Sequence, residues 1–169
     1  MKKINFDQIL NDYKEVLAKG VFLTSKNGKE VNTMTMGWGT VGYIWNQNIL
    51  MAPVRKSRHT HQLIENSDSD YFTVSVPLKG QLKKELQFCG SKSGRDHNKI
   101  EELDLDLAEV EECEVPIIKG NDLHFICKIK YQQDMVKENL AEDILENKYP
   151  DKDMHTFYYA EVAAVYQEE

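Results

Sequence analysis

The sequence predicts a mainly β fold with peripheral helices, and three observations carry that reading. Short runs rich in β-branched and aromatic residues recur along the chain and stop at turn residues. Two of these runs are joined by Asn27-Gly28, a strong short-range hairpin signal. Helical periodicity is confined to a few short segments. Antiparallel strands interrupted by such helices point to a barrel-like β core, and a chain of 169 residues, 1–169, is read as a single domain.

In chain order, Phe6, Ile9, Leu10, Tyr13, Val16 and Leu17 recur at helical spacing, and Gly20 stops the helix. Residues 21–25 read as a strand, 31–36 as its hairpin partner and 49–54 as a further strand. Ser57 is a candidate N-cap for a helix running through Glu65. Residues 71–76 alternate as a strand and end at Pro77. Helices are expected over 81–88 and 96–103, strands over 108–115 and 123–131, and a short helix within 136–148. The chain closes on a long strand over 156–166, rich in Phe, Tyr, Ala and Val.

Composition excludes several classes. A formal net charge of -7 argues against a general nucleic-acid surface. No apolar run is long enough to span a bilayer, and the first residues lack a secretory apolar region, so no membrane role and a cytoplasmic location are expected. Cys89, Cys113 and Cys127 show no Cys-x-x-Cys spacing and are read as reduced thiols, with no zinc site. No Rossmann glycine pattern, Gly-x-Ser-x-Gly elbow or His-Glu-x-x-His motif is present.

Three segments carry chemistry. In the first, Asn32, Thr33 and Thr35 supply polar side chains, and Met34 and Met36 are expected to turn toward the core. Gly37, Trp38, Gly39 and Thr40 follow, with glycines that let backbone approach a planar ligand and donate N–H groups to ring acceptors. A plain strand with a glycine-rich turn has the same pattern. In the second, Arg55, Ser57, Arg58 and Thr60 combine cations and hydroxyls with a helix start, where free N–H groups and the helix dipole favour an anion. An ordinary capping motif with exposed arginines is the bland alternative. In the third, small and hydroxyl residues around Ser93 precede Arg95 and Lys99, suited to the same anion from the opposite side or to a ribityl chain, with a solvated loop as the bland alternative. A planar ring at one end and an anion at the other is the shape of a mononucleotide.

Taken in this order, the segments resemble the flavin reductase-like family of FMN-binding split-barrel flavoproteins. The resemblance rests on Asn32-Thr-Met-Thr-Met-Gly-Trp-Gly, Arg55-x-Ser-Arg-x-Thr60, Tyr71-Phe-Thr-Val-Ser-Val-Pro77, Ser93-Gly-Arg-Asp-x-x-Lys99 and the closing His155-Thr-Phe-Tyr-Tyr-Ala-Glu-Val162. It implies a Greek-key split barrel, a homodimer and FMN near the dimer interface. Asn32 through Thr40 would line the isoalloxazine, Arg55, Ser57, Arg58 and Thr60 would hold the phosphate, and Ser93, Arg95 and Lys99 would close the site. The implied activity is an FMN-dependent oxidoreductase, taking electrons from NADH or NADPH to flavin, a ferric complex or another small-molecule or protein acceptor. Relatives that use a nicotinamide carry Gly-Asp-His near the last strand; here the sequence reads Asp153-Met-His155, with Ala160 where glycine is common. That departure leaves a second expectation open: an electron-transfer or flavin-carrier protein without its own nicotinamide site.

Overall fold

The computed structural model describes residues 1–5 and 16–168. An eight-stranded antiparallel sheet runs in the order β3-β2-β6-β9-β10-β5-β4, with β1 (Lys2–Lys3) paired to the end of β10. β2 (Val21–Asn27) and β3 (Glu30–Met36) form the expected hairpin, and Gly28 supplies the positive φ of +57° that its turn requires. β6 (Tyr71–Val76), β9 (Leu123–Asp134) and β10 (His155–Gln167) also lie where the sequence places strands, over 71–76, 123–131 and 156–166. One face of the sheet buries Leu23, Met34, Leu50, Val54, Phe72 and Phe125 in a common core. On the outer side, Phe22 packs under Leu86, Cys89, Leu105 and Ile118 in a second cluster.

β4 (Thr40–Ile44) pairs with β5 (Gln47–Arg55) through a two-residue turn that the sequence reading passed over. Trp45 and Asn46 both hold positive φ, 54° and 58°, the pattern of a type I′ hairpin built without glycine. The predicted strand over 108–115 is corrected: only β7 (Leu107–Ala108) pairs, with β8 (Ile117–Ile118). The acidic stretch between them has too few buried positions to make a ladder, and Val110 and Cys113 pack from loop onto a small cluster.

Among the described residues, beyond Leu17, the α-helices are α1 (His59–Asn66), α2 (Lys83–Ser91), α3 (Lys99–Glu102) and α4 (Glu142–Lys148). α3 is shorter than the predicted 96–103, because residues 93–97 form a tight loop on the Ser93 carbonyl before Asn98 caps the helix. The expected helix over 6–17 lies mostly outside the described residues; its end, Val16 and Leu17, is helical and buried. No described helix is long and apolar enough to cross a membrane.

Candidate functional site

β3 and β5 approach each other across a seam where no ladder pairs them. The end of β3, the residues just after it and the end of β5 enclose a cavity of about 200 Å³. Its walls are Met34, Thr35, Met36, Gly37, Trp38, Pro53, Arg55, Arg58 and His155. The antiparallel pairing of β10 with β5 sets His155 opposite Arg55 and so delivers a C-terminal residue to this cavity. Trp38, 45% exposed, lies against the His155 ring at 5.4 Å and meets Tyr149 edge-on at 6.4 Å. The Arg55 guanidinium sits 5.0 Å from the Tyr149 ring centre and 5.9 Å from that of Trp38, within cation–π range. Arg55 also donates to the carbonyls of Lys148 and Asp153, which fastens the chain after α4 to this end of the site. Burial, and then the Arg55 charge, push His155 down to about 4 against the opposing pull of Asp153, so its imidazole is neutral at pH 7.

A second cavity of about 200 Å³ opens at the start of α1. It is polar and cationic, lined by Asn32, Ser57, Arg58, His59, Thr60, Ser91, Lys92, Ser93, Gly94 and Lys99. Arg58 belongs to both cavities and joins them. Its guanidinium donates to the carbonyls of Cys89 and Gly90 near the end of α2, at 2.9 and 2.8 Å. Lys99 is buried and donates to the carbonyls of Thr33 and Cys89, and burial brings its pKa down to about 8. Asn32 Nδ2 donates to Thr60 Oγ1 at 2.8 Å. His59 Nε2 meets Glu30 at 2.6 Å, while its buried Nδ1 has no partner. Gly94 is obligatory for this closeness: a Cβ there would stand 2.2 Å from Asn32 Oδ1. A cationic lining and a helix start with no acidic residue in its first turn fit an anion such as phosphate.

The structure brings most of the sequence-predicted residues to these two cavities, with corrections. Strand parity places Asn32 with Met34 and Met36, not with Thr33 and Thr35. Thr33 is fully buried on the other face, its hydroxyl donating to the Leu23 carbonyl, so its side chain reaches neither cavity. Thr35 borders the first cavity, but its hydroxyl is committed to the Leu86 carbonyl. Met34 and Met36 are core residues that also form the cavity floor. Gly37 and Trp38 line the cavity; Gly39 and Thr40 do not. Gly39 instead abuts β5, and Thr40 opens β4 with its side chain exposed. Ser57 is not the helix cap: Arg58 holds that position without a side-chain bond, and the Ser57 hydroxyl donates to Asp153 at 2.6 Å. Ser93 and Lys99 line the polar cavity, whereas Arg95 lies beyond it and donates to the Ser57 carbonyl. Sequence reasoning assigned no role to Tyr149 or His155, and only the register of β10 reveals their place.

The family model described as "Flavin reductase like domain" matches residues 16–169. A protein from Archaeoglobus fulgidus of undescribed activity is 29% identical over 122 residues, which cover 72% of this chain and 67% of that protein. Among solved structures, an FMN-binding domain of a flavin reductases-like enzyme from Shewanella baltica superposes with a TM-score of 0.66 at 19% identity, covering 98% of this chain and 76% of the other. Flavoredoxin from Methanosarcina acetivorans gives 0.67 at 24% identity, covering 89% and 68%. A Streptomyces globisporus NADH:FAD oxidoreductase, in complex with NAD and FAD fragments, gives 0.64 at 21% identity, covering 88% and 74%. The sheet is thus the split barrel of these proteins.

Proposed function

The chain belongs to the flavin reductase-like family, and from that premise we propose that it is an FMN-binding oxidoreductase. Electrons would come from NADH or NADPH and pass to free flavin, a ferric complex or another acceptor. The observation that carries this reading is Arg58, one side chain shared by an aromatic-walled cavity and a cationic one. FMN has that division: a planar ring at one end and a phosphate at the other.

Bound FMN would supply the redox chemistry, and the protein positions and tunes it. Arg58, Lys92 and Lys99, with the hydroxyls of Thr60 and Ser93, surround the phosphate position. The backbone around Gly37 and Trp38 offers close approach to a ring, and Trp38 shields that end from water. Arg55 places positive charge in the ring-side cavity, which favours an electron-rich ring. Hydride delivery to a flavin depends on alignment more than on a dedicated acid, so no acid–base residue is assigned.

A specific observation favours the carrier reading. The Asp153 carboxylate, in the stretch where nicotinamide-using relatives carry Gly-Asp-His, is engaged by the Ser57 hydroxyl and backbone N–H. Anaerobic mixing with NADH or NADPH separates the two. Rapid loss of flavin absorbance supports the oxidoreductase; reduction by dithionite alone supports the carrier. A protein that takes up no FMN when it is supplied in excess overturns both. The homodimer belongs to the same proposal. Trp45 meets Tyr131 and Tyr159 edge-on, and the two tyrosines are tilted against each other, with centroids 5.7 to 6.5 Å apart on the β4–β5 turn, β9 and β10 and with Trp45 and Tyr131 exposed.

A further inference from the structure

We propose that the cavity between the end of β6, the start of α2 and Gly20 is a separate binding site, for a small flat apolar acid such as an aromatic carboxylate. It stands whether or not a flavin occupies the two cavities described above.

This cavity has a volume of about 410 Å³, roughly twice that of either of the other two, and falls in the range of small-molecule sites. Its described walls are mostly carbon. Gly20, Pro77, Gly80 and Gly90 offer backbone and ring atoms, and the buried Leu86 adds its side chain. Among the described residues only Thr35 lines both this cavity and the ring-side one. Its hydroxyl donates to the Leu86 carbonyl, and its methyl lies toward Gly20, where an added Cβ would come within 2.8 Å of it. Water against such walls is displaced favourably by an apolar body.

Two wall residues are cations, Lys19 and Lys83, and among the described residues neither ammonium has an ion-pair or hydrogen-bond partner. The Lys83 chain lies along Gly80: a Cβ there would stand 3.2 Å from its Cε and 3.8 Å from its Nζ. No acidic residue belongs to the described walls, and Glu85 in the first turn of α2 lies outside them. Asp122 reaches the wall residue Gln81, but its charge is already met by Lys79 at 2.8 Å. In a chain of net charge -7, two unpaired cations on an acid-free wall favour an anion over a neutral molecule. The carbon walls call for one or two rings, and the lysines for a single carboxylate on them. A bare phosphate would leave the apolar walls without a partner.

The test uses the full chain with 2-naphthoate and its uncharged counterpart, 2-naphthamide. Amide chemical shifts locate each probe, and titration gives its affinity. 2-Naphthoate should move the amides of Gly20, Gly80 and Gly90 and leave that of Trp38 in place, and saturating FMN should not displace it. 2-Naphthamide should bind at least about fivefold more weakly. Lys19→Glu combined with Lys83→Glu, both at exposed positions, should abolish that difference. Equal affinity of the wild type for the two probes overturns the acid class, and no binding of either at millimolar concentration overturns the site. Shifts confined to Gly37 and Trp38, or displacement by FMN, assign the probe to the ring-side cavity and overturn the proposal as well. So does a fall in mass by light scattering when the probe is added, which gives the cavity to a second copy of the chain. If FMN does not bind at all, the flavin reading fails, and the two probes still decide this site. If the paired variant does not fold, the wild-type comparison decides alone.

Discussion

Lys99 carries its charge where burial disfavours it, at a pKa of about 8 against an ordinary value of 10.5. Between those values the unfolded chain binds more protons than the folded one. This group therefore makes folding more favourable as pH rises from about 8 toward 10.5, and its cost is fully present below about 8. A phosphate beside it reverses the preference by stabilising the ammonium. The ratio of FMN to riboflavin affinity should accordingly fall between pH 7 and pH 9, and Lys99→Met should flatten that fall. Titrating both ligands at the two pH values checks it, and a ratio that does not change in the wild type counts against a phosphate at Lys99. The two arginines should divide in the same assay. Arg58→Ala is expected to weaken FMN by on the order of 1.5–3 kcal/mol, and riboflavin much less. Arg55 lines only the ring-side cavity, so Arg55→Ala should weaken both ligands alike. Equal losses for the two ligands in Arg58→Ala would remove the phosphate from its neighbourhood. Lysine at 58 should not restore the wild type, because a planar fork serves two adjacent carbonyls and a single ammonium does not reproduce it.

The turn that follows β3 changes meaning once β4 and β5 are seen as a hairpin. A Cβ on Gly39 would meet the Met51 carbonyl at 2.9 Å, a backbone atom that cannot swing away. Gly39→Val should lower the apo melting temperature, with an overpacking cost of about 1–3 kcal/mol, while the folded fraction keeps its flavin affinity. Lost affinity with an unchanged apo melting point would place the ring against Gly39 after all. β2, β3 and β6 were legible because short runs of β-branched and aromatic residues bounded by turn residues are local signals. β4 was not, since it is largely exposed and its turn uses Trp45 where glycine, asparagine or aspartate is usual. The basic segment at the start of α1 is legible as a local run of Arg55, Lys56 and Arg58, but Ser57 looks like a cap because the Asp153 that claims its hydroxyl is 96 residues away. Tyr149 and His155 show the same limit. Asp153-Met-His155 was visible as a departure from the relatives' Gly-Asp-His, but it gave His155 no place, and only the pairing of β10 with β5 brings His155 to Arg55.

The formal charge is -7, so the cationic lining of the polar cavity stands out against an acidic chain as a place where a small anion is attracted. The aromatic cluster of Trp45, Tyr131 and Tyr159 is the feature expected to join two copies, and light scattering should give twice the mass of one chain. Trp45→Asp should shift the protein toward monomer and weaken FMN. A wild-type monomer that binds FMN fully would end the dimer proposal. The seam between β3 and β5 has a consequence at this same scale. These strands are near neighbours in sequence but lie far apart along the sheet, so the ladder connecting them runs through β2, β6, β9 and β10. A ligand lying across the seam acts as a hoop acts on staves: it holds the open side shut, and every strand in between shares the restraint. At a hundredfold excess over Kd its contribution of about 2.7 kcal/mol would be felt by the barrel as a unit. Slowed amide exchange on ligand addition should accordingly extend around the wall to β6 and β9, well away from any atom the ligand touches.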